Sequence, residues 1–134
     1  METIGLKIHL HTSNKKVNNY TDIYIVDTFG ETNSFLKLSK IVFMGKSVFG
    51  HGGQNPLEAA RLGKRIVHGP NIENFIEIYE FLKNQGISSK INSIKELENL
   101  IIKLNKKKST SKEIKKKLTY TGNQILLNHE KEIN

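Results

Sequence analysis

Three short runs of β-branched and aromatic residues, Asp22–Asp27, Ile41–Met44 and Arg65–His68, recur along the chain with helical patterns between them. This alternation constrains the fold more than any other feature. Each run is too apolar to be a strand with one wet face, and strands joined through helices lie parallel. An α/β fold follows, with a parallel sheet covered by helices on both faces. Leu6–Leu10 and Ser88–Ile91 are further strand candidates on either side. Helices are expected at Ser34–Leu38, at Pro56–Leu62 ended by Gly63, and at Asn74–Gln85 ended by Gly86, since glycine readily closes a helix. Ser93 with Glu96 opens another by capping-box chemistry.

A chain of 134 residues has room for one domain, expected over residues 1–105. After the polar break at Lys106–Ser111, a lysine-rich helical tail is expected over residues 106–134. With 37% hydrophobic and 25% charged residues the composition is that of a folded protein. The absence of cysteine rules out disulfides and thiolate metal sites and suits a reducing compartment, so the cytoplasm is expected. The chain opens without a basic and apolar leader, and no stretch approaches the roughly 18 apolar residues that span a bilayer. Neither secretion nor membrane spanning is expected.

The net charge of +8 is unevenly placed: eight lysines and one acid, Glu113, between Lys103 and Lys117 supply +7. Such a cluster suits an anionic membrane surface, where each basic residue contributes about 1 kcal/mol, non-specific attraction to nucleic acid, or simply a solvated helix face. It lacks interleaved aromatics and any nucleic-acid motif, so no nucleic-acid partner is expected.

In an open parallel sheet, ligands gather at the carboxyl ends of the strands, where helix amino termini present backbone amides. Three loops are placed there: Asp27–Glu31, Gly45–Glu58 and Gly69–Phe75. The second holds Gly50, Gly52 and Gly53 after Gly45, which let backbone approach a ligand closely, and then Pro56, which fits a first helical turn. A phosphate there would accept amide hydrogen bonds, and Glu58 could accept two ribose hydroxyls. The same residues also read as a capping box, Asn55 with Glu58, and Thr28 with Glu31 repeats that spacing. The paired Gly52 and Gly53 go beyond what a cap requires. His9 and His11 alternate on a candidate strand but have no evident third ligand, so no metal is expected. His51, in the glycine loop, is the better ligand contact. The chain has no phosphate-loop motif, dinucleotide fingerprint or serine nucleophile elbow.

The series Asp27-Thr28-Phe29-Gly30-Glu31, Phe43-Met44-Gly45-Lys46-Ser47, His51-Gly52-Gly53-Gln54-Asn55-Pro56-Leu57-Glu58-Ala59-Ala60, and Gly69-Pro70 with Asn74-Phe75 resembles 3-deoxy-D-manno-octulosonic acid (Kdo) transferases. The match runs from about Leu6 to the last helix. It implies the carboxyl-terminal, CMP-Kdo-binding domain of a two-domain GT-B glycosyltransferase, here a partial Rossmann-like parallel sheet with helices on both faces. In that family Kdo passes from CMP-Kdo to lipid A precursor at the cytoplasmic face of the bacterial inner membrane, an early step of lipopolysaccharide synthesis. Phe29, Gly30 and Glu31 would contact CMP, with Asn55, Pro56, Leu57 and Glu58 as a second nucleotide-binding segment. Thr28, Ser47, His51, Gly52, Gly53 and Asn74 would add donor contacts.

The resemblance implies neither cofactor nor metal, and it puts the general base, a glutamate, in an amino-terminal domain that also carries the acceptor and membrane-facing surfaces. No catalytic residue is therefore expected in this chain. The first strands of the domain, with a Pro-Arg nucleotide contact, would lie upstream of Met1, leaving the domain incomplete on that side. Lys46 stands where the family often has glycine and Arg65 where it often has proline. Two other readings of the loops remain: a non-catalytic module binding a nucleotide or an anionic surface, and a GT-B transferase using a UDP-sugar.

Overall fold

The computed structural model describes residues 5–106 and 111–119, and their backbone forms two compact units, Met1–Thr32 and Asn33–Asn134. In the first unit, β1 (Ile8–Leu10) pairs in parallel with β2 (Ile23–Ile25), with His9 opposite Tyr24. Backbone bonds from Asp22 and Ile23 to the Lys7 carbonyl, and from the Lys7 amide to Asp22 Oδ2, fix this register. The run at Asp22–Asp27 was expected to be buried, yet Ile23, Tyr24, Ile25 and Val26 are 36–40% exposed. Two three-residue strands have too little surface to shield their own side chains.

The second unit begins with α1 (Thr32–Leu38), the first of whose residues is shared with the boundary, and continues through β3 (Ile41–Met44), α2 (Lys46–Phe49), α3 (Leu57–Arg61) and β4 (Arg65–His68). A 3-10 turn over Glu73–Phe75 leads into α4 (Ile76–Asn84), and β5 (Ser88–Lys90) and α5 (Ile94–Lys106) follow. The strands form one parallel sheet in the order β3-β4-β5. Instead of a single partial sheet, the expected strands thus make a two-stranded and a three-stranded one.

Strands added one after another through right-handed crossovers place the connecting helices on a common face. The core lies there: Ala59 and Ala60 of α3 and Tyr79 and Leu82 of α4 close over Met44, Ile66 and Ile87. Val67, which alternates to the opposite face of β4, is buried as well, whereas Phe43 on the edge strand β3 is 39% exposed. At α5, Ser93 Oγ accepts the Glu96 amide, but Glu96 bonds the Asn92 amide in place of that of Ser93, so half of the expected capping box forms.

Residues 111–119 are helical, and their Ile114, 3% exposed, joins the core with Leu118 packed beside it. Lysines 112, 115, 116 and 117 stand on the exposed side of this helix, and residues 120–134 of the expected tail lie outside the described residues. Among the described residues no helix is long and apolar enough to cross a membrane.

Candidate functional site

In the first unit the chemistry gathers where β1 and β2 end. His9 and His11 point the same way, as their spacing predicts, and both meet the Tyr24 ring, His9 stacked at 5.2 Å and His11 tilted at 5.7 Å. His11 Nε2 lies 2.9 Å from Glu31, and its Nδ1 is 2.6 Å from the Tyr24 hydroxyl. With Nε2 donating to the carboxylate, Nδ1 is left to pair with the Tyr24 hydroxyl. Thr28 Oγ1 donates to the same Glu31 carboxylate. The pair Thr28 and Glu31 thus bonds side chain to side chain and does not form the box its spacing suggested. The Thr28 hydroxyl first, and His11 after it, hold the Glu31 carboxyl below the usual carboxylate range.

Asp27 receives the Thr12 amide and hydroxyl, and these bonds likewise keep it ionised. Beside this network, Phe29 is fully exposed and Gly30 has open space around it. His11 and Tyr24 were not among the expected site residues, because neither the 13-residue nor the 20-residue separation to its partner carries a local signal.

In the second unit the glycine loop after β3 and the loop after β4 are knitted together. The Gly52 amide donates to Glu73 Oε2 at 2.9 Å, and the Gly52 carbonyl accepts the Asn74 amide at 3.1 Å. The Asn71 amide reaches the Ser47 carbonyl, and its side chain donates to the carbonyls of Val48 and Gly50. Tyr79 donates its hydroxyl to the Gln54 carbonyl at 2.8 Å, tying the loop's end to α4. At Gly53, φ is 79° and a Cβ would stand 2.7 Å from the Asn71 carbonyl oxygen. The close approach expected of these glycines is therefore made to the neighbouring loop.

Several of the expected site residues are enclosed by protein. Ser47 is fully buried; its hydroxyl donates to the Met44 carbonyl and accepts the Gly69 amide. Pro56, Gly52 and Gly53 are also enclosed by protein. Asn55, Glu58, His51 and Asn74 face outward, and Leu57 is half-buried. The box expected between Asn55 and Glu58 does not form: Asn55 Oδ1 accepts the Leu57 amide, while Glu58 accepts from Asn33 Nδ2 at 3.1 Å. Helix α3 has five residues, so the dipole it can offer an anion is small. Glu73 was missed as the anchor of the glycine loop. Its own amide and that of Gly52, with His51 nearby, hold its carboxyl below the usual range.

No protein-family model matches the chain. Among curated proteins, it is 38% identical over 80 residues to a 3-deoxy-D-manno-octulosonic acid transferase of Rickettsia bellii, covering 60% of this chain and 19% of that protein. With the enzyme of the same name from Haemophilus influenzae it shares 30% identity over 117 residues, 87% of this chain and 26% of the relative. The chain is a sequence relative of the Kdo transferases. It spans about a fifth to a quarter of the length of these relatives. The Kdo transferase of Aquifex aeolicus, 31% identical over 94 residues, agrees.

A crystal structure described as the C-terminal CMP-Kdo binding domain of WaaA from Acinetobacter baumannii superposes with a TM-score of 0.72, covering 81% of this chain and 57% of that one. At 21% identity the likeness bears on the α/β fold alone.

Proposed function

We propose that the chain carries part of the donor-binding half of a Kdo transferase, holding CMP-Kdo while Kdo passes to a lipid A precursor. The observation that carries this reading is the relationship to named Kdo transferases over most of the chain, 87% of it in one case. The loops support it from below. Asn55 and Glu58 are exposed beside a rigid glycine loop at the carboxyl end of a parallel strand, the position at which such sheets take nucleotides. Glu31 is held ionised and Phe29 offers an open aromatic face, suited to hydroxyl acceptance and to a base.

In this role the chain orients the donor and steadies the departing phosphate, and needs no metal. The general base and acceptor site then come from polypeptide outside the matched segment, working at the inner face of the bacterial inner membrane. Amide NMR of the chain titrated with CMP and, separately, with UMP tests the reading. Saturable shifts with CMP near Gly30 and Asn55, weaker with UMP and unchanged by EDTA, are expected. Equal response to both nucleotides would favour a UDP-sugar enzyme, and no response to either would sink the donor role.

A further inference from the structure

The amino-terminal end of the three-stranded sheet, opposite the nucleotide loops, holds a cavity of about 400 Å³. Its wall is formed by the turns that enter β3 and β4 together with the end of α5 and the start of the helical residues 111–119. Four cations line it, Lys37, Lys40, Lys64 and Arg65, with Ser39 and Ser111 between them and no carboxylate among the lining residues. An assembly of like charges without an acid is costly in isolation, because each cation raises the energy of the others.

Part of this charge has an internal task. Lys64 is only 7% exposed, and its Nζ donates to the Lys37 carbonyl at 2.9 Å, in the last turn of α1 where the helix dipole welcomes a cation. Arg65 Nη1 donates to the Gly86 carbonyl. An ammonium has three donors, and Lys64 commits one of them here. Lys37 and Lys40 add charge at the exposed rim that neither carbonyl accounts for. The wall is also rigidly placed: Gly63 has φ 77°, and a Cβ on it would stand 2.6 Å from the Ser111 carbonyl oxygen. The helix bearing Ser111 therefore packs directly on the turn that presents Lys64.

We propose that this cavity is an anion site that takes a phosphate group, of a free phosphoester or of a lipid headgroup. Ser39 already donates its hydroxyl to the Leu36 carbonyl, so the ammonium groups lining the cavity are the donors, and phosphate supplies acceptors for them and relieves their mutual repulsion. The site is distinct from the proposed donor loops. Four-residue strands rising about 3.3 Å per residue separate the two ends of the sheet by roughly 10 Å or more.

The test uses the full chain in three arms: inorganic phosphate, glycerol 3-phosphate, and phosphatidylglycerol vesicles with phosphatidylcholine vesicles as blank. The rim variant Lys37→Gln/Lys40→Gln is compared with the charge-matched Lys83→Gln/Lys95→Gln, whose lysines do not line the cavity. Saturable amide shifts at Ser39, Lys64 and Ser111, present with CMP at saturation and weakened about tenfold in the rim variant alone, are expected. Response to glycerol 3-phosphate without vesicle binding identifies a soluble phosphoester. Vesicle binding lost in the rim variant identifies a headgroup. Absence of saturable binding in every arm, or equal weakening in both variants, overturns the proposal.

Discussion

Gly53 shows how much one backbone position can carry. A side chain there meets both a left-handed φ of 79° and the Asn71 carbonyl oxygen at 2.7 Å, and backbone oxygen yields little. Gly53→Ala is therefore expected to cost about 2 kcal/mol or more in urea unfolding, and to weaken CMP binding as the loop shifts. His68 is a second such position. It is 4% exposed, its ring lies 4.3 Å from that of Tyr79, and its Nδ1 donates to the Gly69 carbonyl at 2.7 Å. Burial, aided by the charge of Lys90, pushes its pKa below the ordinary 6.5, although the Gly69 bond opposes this.

The unfolded chain then binds the proton first as pH falls. The stability His68 contributes is complete above 6.5 and is lost as pH falls from there toward the lower folded value. Urea midpoints measured between about pH 7 and 5 should fall less steeply in His68→Gln than in the parent. Equal slopes would assign the decline to other groups.

Among the elements, β3 and β4 are joined at their carboxyl ends by one hydroxyl. Ser47 bridges the Met44 carbonyl and the Gly69 amide inside protein, so Ser47→Ala leaves a buried amide without its acceptor. A loss of about 1–3 kcal/mol is expected in thermal or urea unfolding, with the Asn71 contacts loosening in amide NMR. Unchanged stability would mean that water replaces the hydroxyl. The glycine loop was legible as a loop, because Gly52-Gly53 before Pro56 interrupts strand and helix alike, but its glycines suggested approach to a ligand, whereas Gly53 approaches the Asn71 carbonyl. Which partner the loop packs against was not legible. Gly52 to Glu73, Gln54 to Tyr79 and Glu58 to Asn33 join residues 21 to 25 positions apart, and only the tertiary fold, with β3 in register on β4 for the first two, brings them together.

The whole molecule divides its stability unevenly. The first unit rests on two three-residue strands with exposed side chains, while the second buries Ile66, Tyr79, Leu82 and Ile87 to 2% exposure or less. Hydrogen exchange should therefore be faster by orders of magnitude at the β1 and β2 amides than at Ile66 and Val67. Comparable protection in both would show that the first unit is stabilised as fully as the second.

By itself the sequence determined the alternation of strands and helices, the parallel pairing and the loops at the carboxyl ends of the strands. These follow from hydrophobic periodicity and from where glycine and proline can stand, both properties of local chain chemistry. Tertiary structure alone decided that the strands make two sheets, that Ile114 belongs to the core, and that Ser47 and Pro56 turn inward while Phe29, Asn55 and Glu58 remain outside. The physical reason is that burial and hydrogen-bond partnership depend on which distant segments share a face, and local spacing does not encode that choice.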